Sequence, residues 1–478
     1  MSEKNKIKIA IANRGEVAVR IHKACKELGY TTVLLHSKPD VDSKAYRLCD
    51  ETFCIGEGPA PESYINIENV IKGAKDSGCK ALHPGFGFLS ENATFASECQ
   101  KQGLTFIGPS PDSMRLFGDK IKAKDFRESL DVPTLKSYRG EDQSLSTFIK
   151  EAKNLGYPVL VKASAGGGGR GMRVVHAESE FTEALDSAKA EALKAFGSDE
   201  MFLEQYLERA KHIEVQVFGN SDNSVFVLGE RECSVQRRHQ KIIEEALSPS
   251  LDQSLRDEVY GYAKKLTSSA NYKNAGTVEF LFSNNKFYFL EVNTRLQVEH
   301  PVTEEVFSVD LVQAQIKTAF NESVSFDSKP NGSHSIECRL YAEDLKGFPS
   351  VGRLGTVDLS GKGVRVEQGF ERDDVVSPFY DSMIAKTIYT ANSRNECIEA
   401  AINHLKGVKL TGLMTNIPLL ISILEHSDFV SGKMDTGFFA DNYADGLTAP
   451  LNEDQVKELV SKNIMNSDDK LFSKRWSV

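Results

Sequence analysis

Four consecutive glycines at positions 166–169 constrain the fold of this chain more than any other feature. A glycine run buries no side chain and costs backbone entropy, so it has no use in a packed core. Its use is to let main-chain N–H groups approach a ligand closely, and phosphate is the usual ligand. The segments at 158–163 and 172–176 on either side have the apolar character of strands. We therefore predict a glycine hairpin between two strands that closes over phosphates, with a merely flexible hairpin as the alternative.

Two familiar phosphate-binding loops do not account for this run. Gly166, Gly168 and Gly171 fit G-x-G-x-x-G, but a dinucleotide-binding loop opens a helix, and a strand-like segment follows here. A Walker A loop needs Lys and then Ser or Thr after its last glycine, whereas Met172 and Arg173 occupy those positions. A nicotinamide-dependent oxidoreductase is therefore disfavoured.

Composition excludes several classes of protein. The 58 Lys and Arg residues against 68 Asp and Glu residues give a net charge of −10, so we expect no nucleic-acid partner. No stretch approaches the roughly 20 apolar residues of a membrane helix, and the N-terminus has no secretion signal. The eight cysteines are scattered, without a C-x-x-C pair, which predicts reduced thiols and no zinc site. We therefore expect a cytoplasmic protein without a membrane partner.

The 478 residues suggest about three domains. Alternating strand and helix patterns in residues 1–117 predict a doubly wound parallel sheet, so this unit is α/β. Closely spaced strand patterns further along predict antiparallel sheet, so the rest of the chain is α+β. The predicted units are 1–117, 118–330 with a glycine-lid subdomain at about 133–207, a C-terminal antiparallel sheet domain at 331–447, and a polar tail at 448–478.

Two acids interrupt neighbouring apolar strands. Glu279 and Glu291 flank Ser283-Asn284-Asn285, which is typical of a hairpin, and a lone carboxylate in an apolar strand is costly to bury. A regular two-residue turn would pair position 279 with 290 and place the acids on opposite faces. We therefore predict an odd-length or bulged loop, which would bring both acids and Asn293 to one face. Such hard oxygen ligands suit Mg²⁺ bound to nucleotide phosphates.

The segment that follows carries alternating polar residues. If it is extended, then Arg295, Gln297 and Glu299 point the same way. An arginine fork suits a small planar oxyanion, and a carboxylate two residues further on could remove a proton from that anion. Taken alone, this pattern also fits a solvated strand face.

A basic cluster runs from Arg231 to Lys241. It contains Arg231, Arg237, Arg238 and Lys241 against the single acid Glu232. We predict a local positive patch suited to triphosphate or bicarbonate, with a solvated basic loop as the alternative. The cluster has too few aromatic residues for nucleic acid.

These motifs together resemble biotin carboxylase, the ATP-grasp component of the biotin-dependent carboxylases. The resemblance covers about residues 6–445. Its motifs are I-A-N-R-G-E at 11–16, H-P-G-F-G-F-L-S-E-N at 83–92, K-A-S-A-G-G-G-G-R-G-M-R at 162–173, Q-R-R-H-Q-K at 236–241, E-V-N-T-R-L-Q-V-E-H-P-V-T-E at 291–304 and E-C-R-L-Y-A-E-D at 337–344. A three-part ATP-grasp fold is implied.

The resemblance also implies a role for each matching residue. Glu299 is expected to be the general base, Arg339 to lie near the biotin ureido oxygen, and both to form the catalytic set with Arg295 and Lys241. Mg²⁺ (or Mn²⁺) is expected on Glu279, Glu291 and Asn293. Bicarbonate is expected on Lys241, Arg295, Gln297 and Val298. ATP is expected on Lys120, Lys162, Gly168, Gly169, Glu204, Gln205, Tyr206, Leu207, His212 and His239.

The implied reaction is ATP-dependent carboxylation of biotin with bicarbonate. No Ala-Met-Lys-Met biotin-attachment sequence occurs, so we expect this chain to be a separate subunit. Its expected partners are a biotin carboxyl carrier protein or domain and a carboxyltransferase subunit. The resemblance implies a homodimer, and the final acceptor could be acetyl-CoA, propionyl-CoA, another acyl-CoA or pyruvate. Two departures from the family pattern are Phe86, where tyrosine is common, and Leu247, where proline is usual.

Two other functions fit parts of the pattern. Another ATP-grasp ligase could join a carboxylate to an amine or thiol, with Arg295 and Glu299 serving a different acid. A catalytically silent binding protein is disfavoured, because no catalytic position of the family is lost.

Overall fold

A computed structural model describes residues 6–164, 171–238 and 240–447 of the chain. Among the helices of these residues, none combines the length and apolar composition that a membrane span requires.

The N-terminal unit is built around a parallel sheet in the order β3-β2-β1-β4-β5. Its strands are apolar and its helices carry apolar residues on one face only, so the helices cover the sheet. The predicted doubly wound parallel sheet is therefore confirmed. The elements are β1 Lys8–Ile11, α1 Gly15–Glu27, β2 Thr31–Ser37, α2 Lys44–Leu48, β3 Glu51–Gly56, α3 Ile67–Asp76, β4 Ala81–His83, α4 Ala93–Lys101, β5 Thr105–Phe106 and α5 Pro111–Gly118.

The next unit is a four-stranded antiparallel sheet in the order β6-β9-β7-β8. Ser144 caps the start of its first long helix, and Gly197 ends the second in the left-handed conformation. A strand follows the glycine run, as predicted, and Lys162 pairs with Met172 across that hairpin. The elements are α6 Lys120–Glu128, β6 Ser137–Tyr138, α7 Leu145–Leu155, β7 Val159–Ala163, β8 Met172–Val175, α8 Glu178–Phe196 and β9 Met201–Gln205.

The central elements resume the antiparallel pattern. Strand β11 runs into the basic cluster at 231–241, and β12 begins within that cluster. The elements are β10 Lys211–Gly219, β11 Val225–Arg237, β12 Gln240–Ala246, α9 Gln253–Ser269, β13 Asn274–Ser283, β14 Lys286–Asn293, α10 His300–Phe307 and α11 Leu311–Ala319.

The C-terminal elements add three strands to the central sheet and a cluster of helices. They are β15 His334–Tyr341, β16 Gly352–Arg353, β17 Val357–Asp358, β18 Val364–Gln368, β19 Val375–Val376, β20 Met383–Ala391, α12 Arg394–Gly407, β21 Lys409–Leu410, α13 Ile417–Glu425, α14 Ser427–Val430 and α15 Phe438–Tyr443.

One eight-stranded sheet joins the central and C-terminal elements, in the order β14-β13-β10-β11-β12-β15-β20-β18. The pairing of β12 with β15 carries the sheet across the predicted boundary near residue 330. In the central strands, alternate residues such as Ile213, Val215 and Val278 pack in one apolar core with Val259 and Leu266 of α9. The residues between them, on the other face, are polar.

Candidate active site

A row of charged side chains crosses the polar face of the eight-stranded sheet. Glu291 on β14 lies opposite Glu279 on β13, Glu279 opposite Glu214 on β10, and Glu214 opposite Arg231 on β11. Directly opposed residues share a face of the sheet and lie close together. Three carboxylates and one guanidinium therefore converge on one site.

A β-bulge brings the two predicted metal ligands to the same face. Asn284 and Asn285 both have positive φ and form a two-residue turn, and Ser283 pairs with Lys286. The register shifts between the Phe280–Phe289 pair and the Glu279–Glu291 pair, which leaves Leu290 as the extra residue. Both acids share a face, as predicted, but the prediction of an odd-length or bulged loop is wrong, because the loop is a regular two-residue turn and the bulge lies within β14. Without the bulge, Leu290 would oppose Glu279.

Glu279 is buried among donors. One of its oxygens accepts hydrogen bonds from Lys241 at 3.0 Å, from Asn293 at 2.7 Å and from Gln297 at 2.7 Å. Nε2 of His212 lies 3.0 Å from the other oxygen. Burial alone raises the pKa of Glu279, but the charges of Lys241 and His212 outweigh it and hold the pKa well below its ordinary value. Glu279 is therefore a carboxylate.

The oxygen atoms at this end of the site are suitable ligands for a divalent cation. Glu279, Glu291 and Asn293 bring two carboxylates and an amide oxygen onto paired strands, which is the oxygen set that Mg²⁺ prefers. Within the described residues, the side chain of the half-buried Glu291 forms no hydrogen bond or ion pair, so its carboxylate oxygens are available to an ion.

Glu299 lies between two cations. Its oxygens accept from Nζ of Lys241 at 2.7 Å and from Nη2 of Arg339 at 2.9 Å. Burial alone raises the pKa of Glu299, yet Lys241 and Arg339 lower it well below the ordinary value. Glu299 is therefore ionised and can accept a proton.

Lys241 and Arg339 are held by further acids of the same sheet. Lys241 also pairs with Glu214, and Nε of Arg339 donates to Glu244 at 2.6 Å. Burial lowers the pKa of Lys241, but Glu214, Glu279 and Glu299 raise it well above its ordinary value, so this lysine is charged. Burial raises the pKa of Glu244 to about 7, against the opposing charge of Arg339.

The segment from Arg295 to Glu299 is not extended, so the condition under which its three polar side chains would point the same way is not met. After β14 ends at Asn293 the chain turns, and Glu299 is already the N-cap residue of α10. Arg295 donates to Asn293 at 2.9 Å and to Glu91 at 3.1 Å, whereas Gln297 accepts from Arg231 at 2.8 Å. These residues therefore reach the site by separate contacts, and not by strand alternation.

Much of the predicted basic cluster at 231–241 is buried or paired with acids. Arg231 is fully buried, and Arg237 forms an ion pair with Glu343. Two members of the cluster reach the site, Arg231 and Lys241. Both form ion pairs with Glu214. Most of the cluster lies on the paired strands β11 and β12, whereas Arg238 is exposed.

Sequence reasoning missed several residues of the site. Glu214 and Glu244 are fully buried at its centre, and Glu91 of the 83–92 motif accepts from the backbone N–H of Thr294 at 3.0 Å. The signal for Glu214 was present, because this acid interrupts an apolar strand as Glu279 does.

The predicted nucleotide-binding residues lie on two sheets. In the four-stranded sheet β6-β9-β7-β8, Nζ of the buried Lys162 is 3.1 Å from Glu204. The next three residues, Gln205, Tyr206 and Leu207, are half-buried. On the large sheet, Nδ1 of His212 lies 2.9 Å from Gln236. Gly168, Gly169, His239 and the side chain of Lys120 lie outside the described residues.

Fold and site together define an ATP-dependent ligase of the ATP-grasp class. Residues 5–114 and 337–441 match the models of the biotin carboxylase N-terminal and C-terminal domains. Residues 119–326 match the ATP-binding domain of the carbamoyl-phosphate synthase L chain. The chain therefore belongs to the biotin carboxylase family, and the predicted three-part ATP-grasp fold is confirmed.

Proteins named as different biotin-dependent carboxylases, or as parts of them, are similar to this chain over most of its length. A biotin carboxylase of Haemophilus influenzae is 45% identical over 434 residues, covering 89% of this chain and 96% of the relative. One pyruvate carboxylase subunit of Methanothermobacter thermautotrophicus is 42% identical over 454 residues, covering 93% and 92%. The biotin carboxylase domain dimer of Hydrogenobacter thermophilus 2-oxoglutarate carboxylase, solved with MgADP, ADP and bicarbonate, has a TM-score of 0.88 at 40% identity, covering 91% and 97%.

Proposed function

We propose that this chain carboxylates biotin with bicarbonate and ATP, through carboxyphosphate, and releases ADP and phosphate. This is the first half-reaction of a biotin-dependent carboxylase. The observation that carries the proposal is the buried Glu299 carboxylate, which lies between Lys241 and Arg339 and beside the Glu279–Glu291 pair. A base at the start of α10 thus lies against the sheet face that carries an anion-binding lysine and a metal-binding pair.

The acids beside Glu299 serve the nucleotide phosphates. Glu279, Glu291 and Asn293 would hold Mg²⁺ (or Mn²⁺), which neutralises phosphate charge when it is bound. Lys162 and His212, with Lys120, His239, Gly168 and Gly169, are assigned to the phosphates and ribose by the family motifs. Glu204, Gln205, Tyr206 and Leu207 are assigned to adenine in the same way.

Glu299 starts the reaction by taking the hydroxyl proton of bicarbonate, which Arg295, Lys241, Gln297 and Val298 hold. A bicarbonate oxygen then bonds to the γ-phosphorus as the bond to ADP breaks. The resulting carboxyphosphate splits into CO₂ and phosphate.

Biotin reacts in the second stage. The phosphate takes the N1′ proton, and N1′ bonds to the carbon of CO₂. Arg339 stabilises the charge that develops on the ureido oxygen. The double contact of this arginine with Glu244 and Glu299 fixes its guanidinium beside the base.

The assembly is part of the proposal. Biotin arrives on a carrier protein, and a carboxyltransferase partner determines the final acceptor, which in the names of relatives is pyruvate or 2-oxoglutarate. We propose a homodimer, which the dimer named for the Hydrogenobacter domain supports.

We also propose the units 1–117, 118–330 with lid 133–207, 331–447 and tail 448–478, because the three family matches lie within the first three.

Glu299→Gln tests the function directly. Biotin-dependent ADP release should fall about 100-fold or more, because the general base is lost, while ATP binding is kept. Glu245→Gln is the matched control. It changes a buried glutamate of β12 that binds His334 and Arg394 away from the site.

Steady-state ADP release with and without bicarbonate and free biotin is the measurement, with nucleotide binding followed by calorimetry. ADP release that needs no bicarbonate would point to another ATP-grasp ligase. Normal turnover of Glu299→Gln would remove this residue from the role of base.

A further inference from the structure

Lys386 is a fully buried lysine that none of the reaction steps above uses. It lies on β20 directly opposite Arg339 of β15, so both side chains share the face of the sheet that carries the site. Its other cross-strand neighbour is Glu367 of β18. Burying an ammonium group is costly, and a protein with an apolar residue in its place is often more stable.

The ammonium group of Lys386 holds the turn that carries Val298. Nζ donates to the backbone oxygen of Val298 at 2.6 Å and lies 3.3 Å from Oε1 of Glu16, the last residue of the 11–16 motif. The ring of Phe86 lies on another side, with its centroid 5.9 Å away. One carbonyl and one carboxylate are thus the close polar partners of this charge.

The Val298 carbonyl and the N–H of Glu299 belong to the same peptide group. A trans peptide points its N–H away from its carbonyl oxygen, so this N–H is directed away from Lys386. A charged donor on the carbonyl polarises the peptide and strengthens the N–H as a donor. Residue 299 is also the N-cap of α10, where the helix dipole is positive.

The charges around Lys386 come from every element packed against it. Glu16 on α1, Glu367 on β18 and Glu337 on β15 are acids, whereas Arg339 is a cation. His300 on α10 is neutral, because burial and the nearby charge of Lys386 hold its pKa well below the ordinary value. Glu16 and Glu337 have no hydrogen-bond partner for either side-chain oxygen within the described residues.

We propose that Lys386 is a positioning residue for bicarbonate, which fixes the Val298 peptide and adds positive potential beneath the anion-binding turn. The inference rests on the proposed function, because it takes residues 295–299 as the bicarbonate site. Lys386 does not touch the anion and acts through the peptide that does.

Lys386→Met is the first test, because methionine keeps the length of the side chain and removes its charge. The bicarbonate KM should rise about tenfold, which is the loss of one charge-assisted hydrogen bond, while the ATP KM stays within about twofold. Lys211→Met is the matched control. Lys211 also binds one glutamate and backbone carbonyls, those of Gly432 and Met434, away from the turn.

Glu16→Gln separates an electrostatic role from simple packing. This variant removes the acid that offsets Lys386, so the bicarbonate KM should stay the same or fall. If Glu16→Gln raises the bicarbonate KM as much as Lys386→Met does, packing of the pair explains both effects and the inference fails.

The double variant Glu16→Gln with Lys386→Met covers the case in which the single lysine variant does not fold. It leaves no uncompensated buried carboxylate at position 16, and it should keep the tenfold rise in bicarbonate KM. A bicarbonate KM within twofold of the wild type, in the single or the double variant, would overturn the inference. Failure of the proposed function looks different, because wild-type ADP release would then not depend on bicarbonate at all.

Discussion

Replacing Arg231 by methionine should destabilise the large sheet more than any change to a surface arginine. The guanidinium of Arg231 is fully buried and donates to Glu214, Gln216 and Thr303, and also to Thr277 and Gln297. All five of its N–H donors are thus in use. Methionine fills much of the volume but supplies none of these donors.

The size of the effect follows from what the change leaves behind. Breaking a buried ion pair by removing one partner costs about 3–5 kcal/mol. Glu214 keeps Lys241 as a partner on its other oxygen, so we expect the lower end, about 3 kcal/mol. Arg231→Lys keeps the charge but offers three donors, so it loses two hydrogen bonds and about 2 kcal/mol.

Urea unfolding followed by far-UV circular dichroism measures these differences. Arg115→Met is the matched control. Arg115 is exposed, pairs with Asp112 in the same helix, and should change stability by less than about 1 kcal/mol. Equal effects of Arg231→Met and Arg115→Met would refute the reasoning.

Two further changes probe the surroundings of the site. Burial raises the pKa of Glu244 from 4.5 to about 7, so its contribution to stability is present below pH 4.5 and is lost as the pH rises to about 7. Glu244→Gln should therefore flatten the fall in urea midpoint between pH 4.5 and 7, and an unchanged slope would contradict this. Glu91→Gln should raise the bicarbonate KM by at most about fivefold, because the Glu91 side chain is 43% exposed and a surface ion pair contributes about 1 kcal/mol or less. A larger rise in that KM would show that the pair is not screened by solvent.

Local signals made most of the fold predictable. Helices such as Ala93–Lys101 and Leu145–Leu155 begin at Asn92 and Ser144, whose side chains cap them, and cap residues are visible in sequence. The β11–β12 hairpin was missed for the opposite reason. Its turn contains Arg238 at a φ of 51° and no glycine, proline or asparagine, so the sequence reads as a basic loop.

The site was predictable only where its residues lie close together in the sequence. Glu279, Glu291 and Asn293 lie on one hairpin, so the pattern of that hairpin places them together. The acids that neutralise Lys241 and Arg339 come from other strands, and their pairing depends on sheet order. A bulge at Ile242 also lets Lys241 and Glu244 serve the same site, and no local rule predicts it.

Exposure decides which contacts hold the turn at residues 295–299, the proposed bicarbonate site. Arg231 holds Gln297 and Lys386 holds Val298, and both cations are fully excluded from water, where charge-assisted hydrogen bonds are strong. Arg295 is held by Glu91 at the solvent side, where water and salt screen the pair. The shape of the turn is therefore set mainly from the sheet, whereas the contact of Arg295 with Glu91 adds about 1 kcal/mol or less.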